Sequence, residues 1–258
     1  MALEFQGASR ALTADGLAAA AERLNVKLPE VWTVLSVETK GCGFLGDRRP
    51  PILFERHIFS KLTNGEFDCC DVSNPEAGGY GADGANQYNR LADAIGKNRG
   101  AALASASWGM PQIMGENFAA GGFGDVESMV AAMCESEDAQ VAAFAAFLEN
   151  NRLAAYLQAH DWTSLARRYN GPNYAENQYD TKLAAAFARL SAGPLPDLDV
   201  RTAQLYLTFA GFNPGSVDGV IGQHTRTALA SYQQQHGLAQ SGTADQDTLA
   251  SLAEVVLV

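Results

Sequence analysis

One glutamate stands where a helix should bury its apolar face. Val31, Val34 and Leu35 recur at the spacing of one helix face. Glu38 continues that face one turn later, just before the glycine-containing run 41–43. A carboxyl group among apolar neighbours has a raised pKa, which suits a general acid near neutral pH. The same spacing is equally consistent with a glutamate that points to solvent at a helix end.

Two later segments carry further polar groups beside glycine. In SASWGMPQIMG, residues 105–115, the amide of Gln112 lies in a tight segment next to an apolar run. In RRYNGPNY, residues 167–174, a helix is expected to end at Tyr169 and Asn170. Each segment alone is consistent with an ordinary turn.

Taken in order, the three segments are similar to those of the lysozyme-like superfamily, which includes goose-type lysozymes and soluble lytic transglycosylases. More narrowly, residues 10–190 resemble the N-acetylmuramidase domain of modular bacteriophage endolysins. That resemblance rests on WTVLSVETKGCGFLGDRRPPILFERHIF, SASWGMPQIMG and RRYNGPNYAENQYDTKLAAAF. It implies a peptidoglycan hydrolase that cuts the β-1,4 bond between N-acetylmuramic acid and N-acetylglucosamine.

The resemblance also implies roles for single residues. Glu38 would be the general acid, and Gln112, Tyr169 and Asn170 would line the substrate cleft. Glu55 matches a family pattern as a further cleft residue. An ion pair between Glu55 and a nearby arginine is an equally good interpretation, with three arginines in reach: Arg48, Arg49 and Arg56.

Glycoside hydrolysis usually uses two carboxylates, one as acid and one as base or nucleophile. The sequence offers five candidates for the second group and does not choose among them: Asp47, Glu55, Asp68, Asp71 and Asp83. Related enzymes often lack an evident second carboxylate. Water or the sugar's own 6-hydroxyl could therefore attack, so a lytic transglycosylase giving 1,6-anhydro-muramic products is an alternative. A non-catalytic wall-binding or virion structural protein is another.

Cysteine and metal chemistry are weaker hypotheses. Cys42 with His57 would suggest a cysteine peptidase, but no such family pattern surrounds Cys42. The four cysteines are too few and too irregular for a disulfide framework, and we expect free thiols. The four histidines show no zinc-binding spacing. We therefore expect no metal and no cofactor.

A linker at SAGPLPDLD, residues 191–199, divides the chain into a catalytic domain at 1–193 and a smaller domain at 194–258. The smaller domain resembles the peptidoglycan-binding type 1 domain, a three-helix module, through VDGVIG at 217–222 and the residues that follow. Most of that pattern determines the fold. Asp218 and Gln233 are assigned to wall anchoring only weakly.

The periodicity predicts a mainly α fold. The resemblance implies a lysozyme-like helical domain followed by the three-helix module. Helices are expected from Thr13, from Pro29, around 88–95, from Asp125, over 162–169 and 173–190, and at 199–211, 222–236 and 245–254. Strand-like alternation is scarce apart from 52–54.

The net charge of −11 disfavours nucleic acid as a partner, and no segment is long enough to span a bilayer. Residues 38–61 nevertheless carry five Lys/Arg against three Asp/Glu, and residues 162–182 three against two, so the predicted cleft is locally basic. We expect a monomer that binds peptidoglycan without stable membrane association. The resemblance and the missing signal peptide imply synthesis in a host cytoplasm and holin-dependent release to the wall.

Overall fold

A computed structural model describes residues 3–38, 42–68, 71–169, 171 and 175–256, and the side chain of Glu38 lies outside this description. The described residues form thirteen α-helices and one small sheet, which confirms the predicted mainly α fold. The helices are α1 Ala14–Leu24, α2 Leu28–Glu38, α3 Arg56–Leu62, α4 Gln87–Ile95, α5 Arg99–Ala104, α6 Val126–Glu135, α7 Glu137–Asn150, α8 Ala154–Gln158, α9 Trp162–Tyr169, α10 Tyr179–Ala192, α11 Leu198–Phe209, α12 Gln223–Gln235 and α13 Gln246–Val256. The strands are β1 Ile52–Phe54, β2 Ala106–Trp108 and β3 Ile113–Met114, which pair antiparallel in that order.

Side-chain caps start several of these helices where the sequence predicts them. The Thr13 hydroxyl accepts a hydrogen bond from the Gly16 N–H at 3.0 Å, and the Asp161 carboxylate accepts from the Ser164 N–H at 3.0 Å. Each bond satisfies an amide that has no partner inside the first helical turn. Between α6 and α7 a single extended residue, Ser136, caps the second helix through the Ala139 N–H.

Two apolar cores hold the larger part together. In the first, α2 packs against α1 and α10, and the predicted stripe of Val31, Val34 and Leu35 is buried. The second lies around the sheet and includes Phe54 of β1 and Trp108 of β2. Because α7 contributes residues to both cores, it fixes the end of α2 relative to the sheet.

The structure differs from the sequence interpretation at the β2–β3 hairpin, at the start of α10 and in three short helices that were not predicted, α3, α5 and α8. SASWGMPQIMG forms the β2–β3 hairpin, whose turn has φ of +67° at Gly109 and +51° at Gln112. Its strands are two and three residues long, too short for alternation to be recognised. The last helix of the larger part begins at Tyr179 rather than near residue 173.

Helices α11, α12 and α13 surround a third core that contains Leu207, Leu229 and Leu252. Ala11 and Phe44 of the larger part join this core. The two parts therefore share apolar surface. The division of the domains after residue 193 stays a prediction.

Candidate functional site

The predicted general acid stands at the end of α2. Glu38 is the last residue of that helix. Its side chain and residues 39–41 lie outside the described residues, so its role stays a prediction. Cys42 is the next described residue. The backbone of Gly43, which follows it, shows how the segment after α2 is held.

Gly43 is clamped from both sides by the first turn of α7. Its N–H donates to the Glu137 carboxylate at 2.8 Å, and its carbonyl accepts from the Gln140 amide at 2.9 Å. A Cβ at residue 43 would lie 2.6 Å from Gln140 Oε1. Glycine is needed here because α7 approaches the backbone so closely.

The same Gln140 side chain also holds the β2–β3 turn. Its Oε1 accepts from the Met110 N–H at 2.6 Å, and a Cβ at Gly109 would lie 2.8 Å from its Cδ. Gln140 is fully buried and its Nε2 also donates to the Met133 carbonyl. One amide thus ties the segment after Glu38 to the turn that precedes Gln112.

Gln112 uses its own amide inside that hairpin. Its Oε1 accepts from the Ser107 hydroxyl at 2.8 Å, and its Nε2 donates to the carbonyls of Gly109 and Pro51 at 2.8 and 3.1 Å. These bonds keep the turn in its left-handed conformation. Contact between Gln112 and substrate stays a prediction.

Tyr169 connects the third predicted segment to the same turn. Its hydroxyl donates to the Pro111 carbonyl at 2.6 Å, and its ring makes edge contacts with Phe144 and Phe147 of α7. Asn170 lies outside the described residues. Gly171 has φ of +82°, which suits a residue just past a helix end. The structure therefore brings together the backbone at Gly43, the turn at Pro111 and the side chain of Tyr169.

Glu55 lies at the junction of β1 and α3, and its ion-pair contact among the described residues is with His57 rather than with any of the three arginines considered as its partners. Its Oε2 is 3.2 Å from His57 Nδ1, yet neither atom has a well-formed hydrogen bond among the described residues. Burial, followed by the charge and hydrogen bond of Glu55, raises the pKa of the Tyr80 hydroxyl. A buried carboxylate oxygen that makes no hydrogen bond is rare and is a candidate for a functional group.

The other candidate carboxylates differ from Glu55. Asp47 forms an ion pair with Arg49 at 2.6 Å, and Asp68 accepts from the Ser60 hydroxyl at 2.8 Å. Asp71 and Asp83 are exposed. Among the five, Glu55 is partly buried and has an oxygen that makes no hydrogen bond within the described residues.

A buried ion pair crosses from the larger part to the smaller one. The Glu137 side chain is 0% exposed and that of Arg201, on α11, 2%. Arg201 Nη2 donates to Glu137 Oε1 at 2.7 Å, and Nη1 contacts Oε2. Burial alone would lower the pKa of Arg201, but the Glu137 charge and hydrogen bonds outweigh it and raise that pKa. The carboxylate that clamps Gly43 is thus neutralised from the other domain.

Glu137 and Gln140 were not identified from the sequence, although a signal exists. They precede Val141 and Phe144 at the spacing of one helix face, so two polar residues interrupt an otherwise apolar stripe. Buried polar groups need hydrogen-bond partners. The pattern therefore indicates that these two side chains hydrogen-bond to another segment of the chain.

Cys42 is partly buried, and its surroundings disfavour the thiolate form. Its thiol donates to the Phe44 carbonyl at 3.0 Å. Burial, reinforced by the charge of Glu137, raises the thiol pKa to about 12. The thiolate is the nucleophile in cysteine chemistry, so this environment disfavours the peptidase hypothesis.

We therefore expect Cys42 to resist alkylation. At pH 8 the native protein should react with iodoacetamide roughly 1,000-fold more slowly at this residue than the unfolded protein, because so little thiolate is present. Mass spectrometry of tryptic peptides measures the labelling, with the protein in denaturant as the reference. Equal labelling rates in the native and unfolded states would contradict this prediction and would support Cys42 as a reactive nucleophile.

Gln204 and Gln233 organise the loops of the smaller part. Gln204 Oε1 accepts from the N–H groups of Asp218 and Gly219 at 3.0 and 2.9 Å. Gln233 is fully buried, and its amide bonds to Gly242 and Thr248 within the domain. Asp218 is exposed and uses Oδ1 to accept from the Val220 N–H. In this geometry Gln233 supports a loop, whereas Asp218 remains accessible to a ligand.

Within the described ranges, no group of three His, Cys, Asp or Glu side chains is placed to hold a metal ion. No helix in that part of the chain is long and apolar enough to cross a bilayer.

Comparison with known proteins gives two family matches. The N-acetylmuramidase family model matches residues 27–191, and the putative peptidoglycan binding domain matches residues 196–252. The crystal structure of Burkholderia AP3 phage endolysin is 42% identical, with a TM-score of 0.66 over 71% of this chain and 72% of that one. N-acetylmuramoyl-L-alanine amidase CwlM of Mycobacterium tuberculosis is 48% identical over 59 residues, which are 23% of this chain and 14% of that protein.

Proposed function

Because the chain belongs to the N-acetylmuramidase family, we propose that it cleaves the β-1,4 bond between N-acetylmuramic acid and N-acetylglucosamine, with Glu38 as general acid. The family matches and the phage endolysin neighbour confirm the prediction of a peptidoglycan hydrolase with modular endolysin organisation. One observation carries the finer proposal: the segments around residues 38, 112 and 169, far apart in the chain, converge through Gln140 and Tyr169.

In this mechanism Glu38 gives its proton to the glycosidic oxygen as the bond to the muramic C1 breaks. Positive charge develops on the muramic ring, and water adds to C1. Glu55 is the second carboxylate in the proposal, because its side chain is 15% exposed and its Oε2 makes no hydrogen bond among the described residues. It would take the proton that water loses. Gln112, Tyr169 and Asn170 would shape the cleft around the sugar.

The smaller domain would hold the enzyme on its polymeric substrate. Its match to a peptidoglycan-binding family supports peptidoglycan as the partner, with exposed Asp218 as a contact. Similarity to a phage endolysin supports a further step in which the enzyme reaches the wall from the host cytoplasm through a holin-permeabilised membrane.

Mass spectrometry of purified peptidoglycan after digestion tests the reaction. Hydrolysis by water should give soluble fragments with a new reducing end at muramic acid. Products with 1,6-anhydro-muramic ends would replace the proposal with transglycosylation. No soluble fragments would indicate a binding or structural protein.

A further inference from the structure

A cavity of about 740 Å³ separates the two parts of the chain. Its size falls within the range of sites that hold small molecules or short peptides. On one side it is lined by Leu35 and Ser36 of α2 and by Met110 of the β2–β3 turn. On the other side it is lined by the loop 216–221, which contains most of the VDGVIG pattern.

The position of this cavity links two recognised motifs. Ser36 is two residues before the proposed acid, and Met110 is held by the amide that clamps Gly43. The opposite loop belongs to the segment that matches the peptidoglycan-binding family. A ligand in the cavity would therefore contact both the N-acetylmuramidase segment and the peptidoglycan-binding segment.

The chemistry of the lining is apolar with charges of both signs. Val220 is 63% exposed, which is unusual for a large aliphatic residue beside a cavity. Arg189, in the last turn of α10, is exposed and forms no ion pair with any residue in the described ranges. Asp197 and Asp218 supply carboxylates. A neutral glycan offers no charges to match this set.

The fixed docking of the two domains makes this a built site. The Glu137–Arg201 pair lies at the interface, and Arg201 itself lines the cavity. Tyr206 adds a second link, since its hydroxyl accepts from the Ala11 N–H at 3.3 Å. The cavity walls are therefore held in register before any ligand arrives.

From this geometry we propose that the interdomain cavity binds the stem peptide of the peptidoglycan strand. The inference rests on the proposed function, because the stem peptide is attached to the muramic sugar whose bond would be cut. Such a peptide carries alanine methyl groups, carboxylates and, before cross-linking, a free amine. Methyl groups fit the apolar walls, a carboxylate fits Arg189, and an amine fits Asp197 or Asp218.

Isothermal titration calorimetry with the full chain tests this site. The probes are the disaccharide GlcNAc-MurNAc with a tetrapeptide, the same disaccharide without peptide and with its lactyl carboxyl capped as a neutral methylamide, and the free tetrapeptide. None contains the MurNAc–GlcNAc bond, so binding is measured independently of cleavage. Arg189→Glu should raise the Kd for the peptide-bearing disaccharide about tenfold or more, as expected for loss of a hydrogen bond between charged groups. The Kd for the peptide-free disaccharide should change less than about twofold.

Two further variants sharpen the result. Ser36→Trp fills the cavity from the side of α2 and should weaken the same probe. Arg226→Glu makes the same charge change on an exposed residue of α12 outside the cavity, and should leave every Kd unchanged. Equal effects of the variants at 189 and 226 would overturn the proposal. Equal weakening of binding to both disaccharides would also overturn it, because the cavity would then bind the glycan. A dimer in sedimentation velocity that Arg189→Glu dissociates would overturn it as well, because the cavity would then be an interface between two copies of the chain.

Discussion

Replacing Arg201 with methionine should lower the free energy of unfolding by about 3–5 kcal/mol. The substitution removes a guanidinium that is buried against Glu137 and leaves that carboxylate without a counter-ion. For a chain of this size the loss corresponds to a fall in Tm on the order of 10 °C. Differential scanning calorimetry of the full chain measures it.

The size of this effect follows from what Glu137 does. Its oxygens also accept from the N–H groups of Leu12 and Gly43 at 2.9 and 2.8 Å. Protonation or rotation of the stranded carboxylate would disturb both. Arg201→Lys should lie between wild type and Arg201→Met, because an ammonium keeps the charge but cannot donate through two parallel N–H groups.

An exposed pair provides the matched control. Arg23 and Glu149 form an ion pair at 2.8 Å with side chains that are 42% and 51% exposed. Arg23→Met should therefore cost less than about 1 kcal/mol. If Arg201→Met were no more destabilising than Arg23→Met, the buried pair would not hold the two parts together.

Local features of the fold could be predicted from the sequence because their causes are local. The caps at Thr13 and Asp161, the buried stripe of α2 and the three C-terminal helices follow from residues a few positions apart. The β2–β3 hairpin could not be predicted in this way. Its short strands depend on pairing with β1, which lies about fifty residues earlier in the chain.

The bracing of the site depends on contacts over long distances in the sequence. Glu137 meets Gly43 across 94 residues, and Arg201 meets Glu137 across 64. No spacing rule links such positions. A sequence shows only that a polar residue interrupts an apolar face, and the partner appears once the chain has folded.

The local positive charge illustrates the same limit. Residues 38–61 have an excess of Lys and Arg, which suggested a basic cleft. In the structure Arg48 donates to the carbonyls of Gly7 and Ala8, and Arg56 donates to that of Glu76. These guanidinium groups fix loops. Arg189 and Arg201, which lie outside both predicted basic segments, line the interdomain cavity, and Arg201 is paired with Glu137.

Glu38→Gln should abolish most of the catalytic activity while leaving substrate binding intact. The amide has nearly the shape of the carboxylic acid but has no acidic proton for the leaving oxygen. A general acid contributes about 10²- to 10⁴-fold to such a rate, and we expect a loss in that range. The measurement is the initial rate of fragment release from purified peptidoglycan. Sedimentation of the variant with insoluble peptidoglycan should match that of wild type.

Two further variants separate the role of Glu38 from a general effect of charge. Glu22→Gln removes an exposed carboxylate on α1 and should retain the wild-type rate. Glu55→Gln removes the proposed base and should reduce the rate, because an amide cannot accept the proton that water loses. Full activity in Glu38→Gln would rule out Glu38 as the acid. Glu38 ends α2, and Glu137 of α7 holds the segment that follows through the Gly43 N–H. With Glu38 ruled out as the acid, that contact would serve the fold and not catalysis.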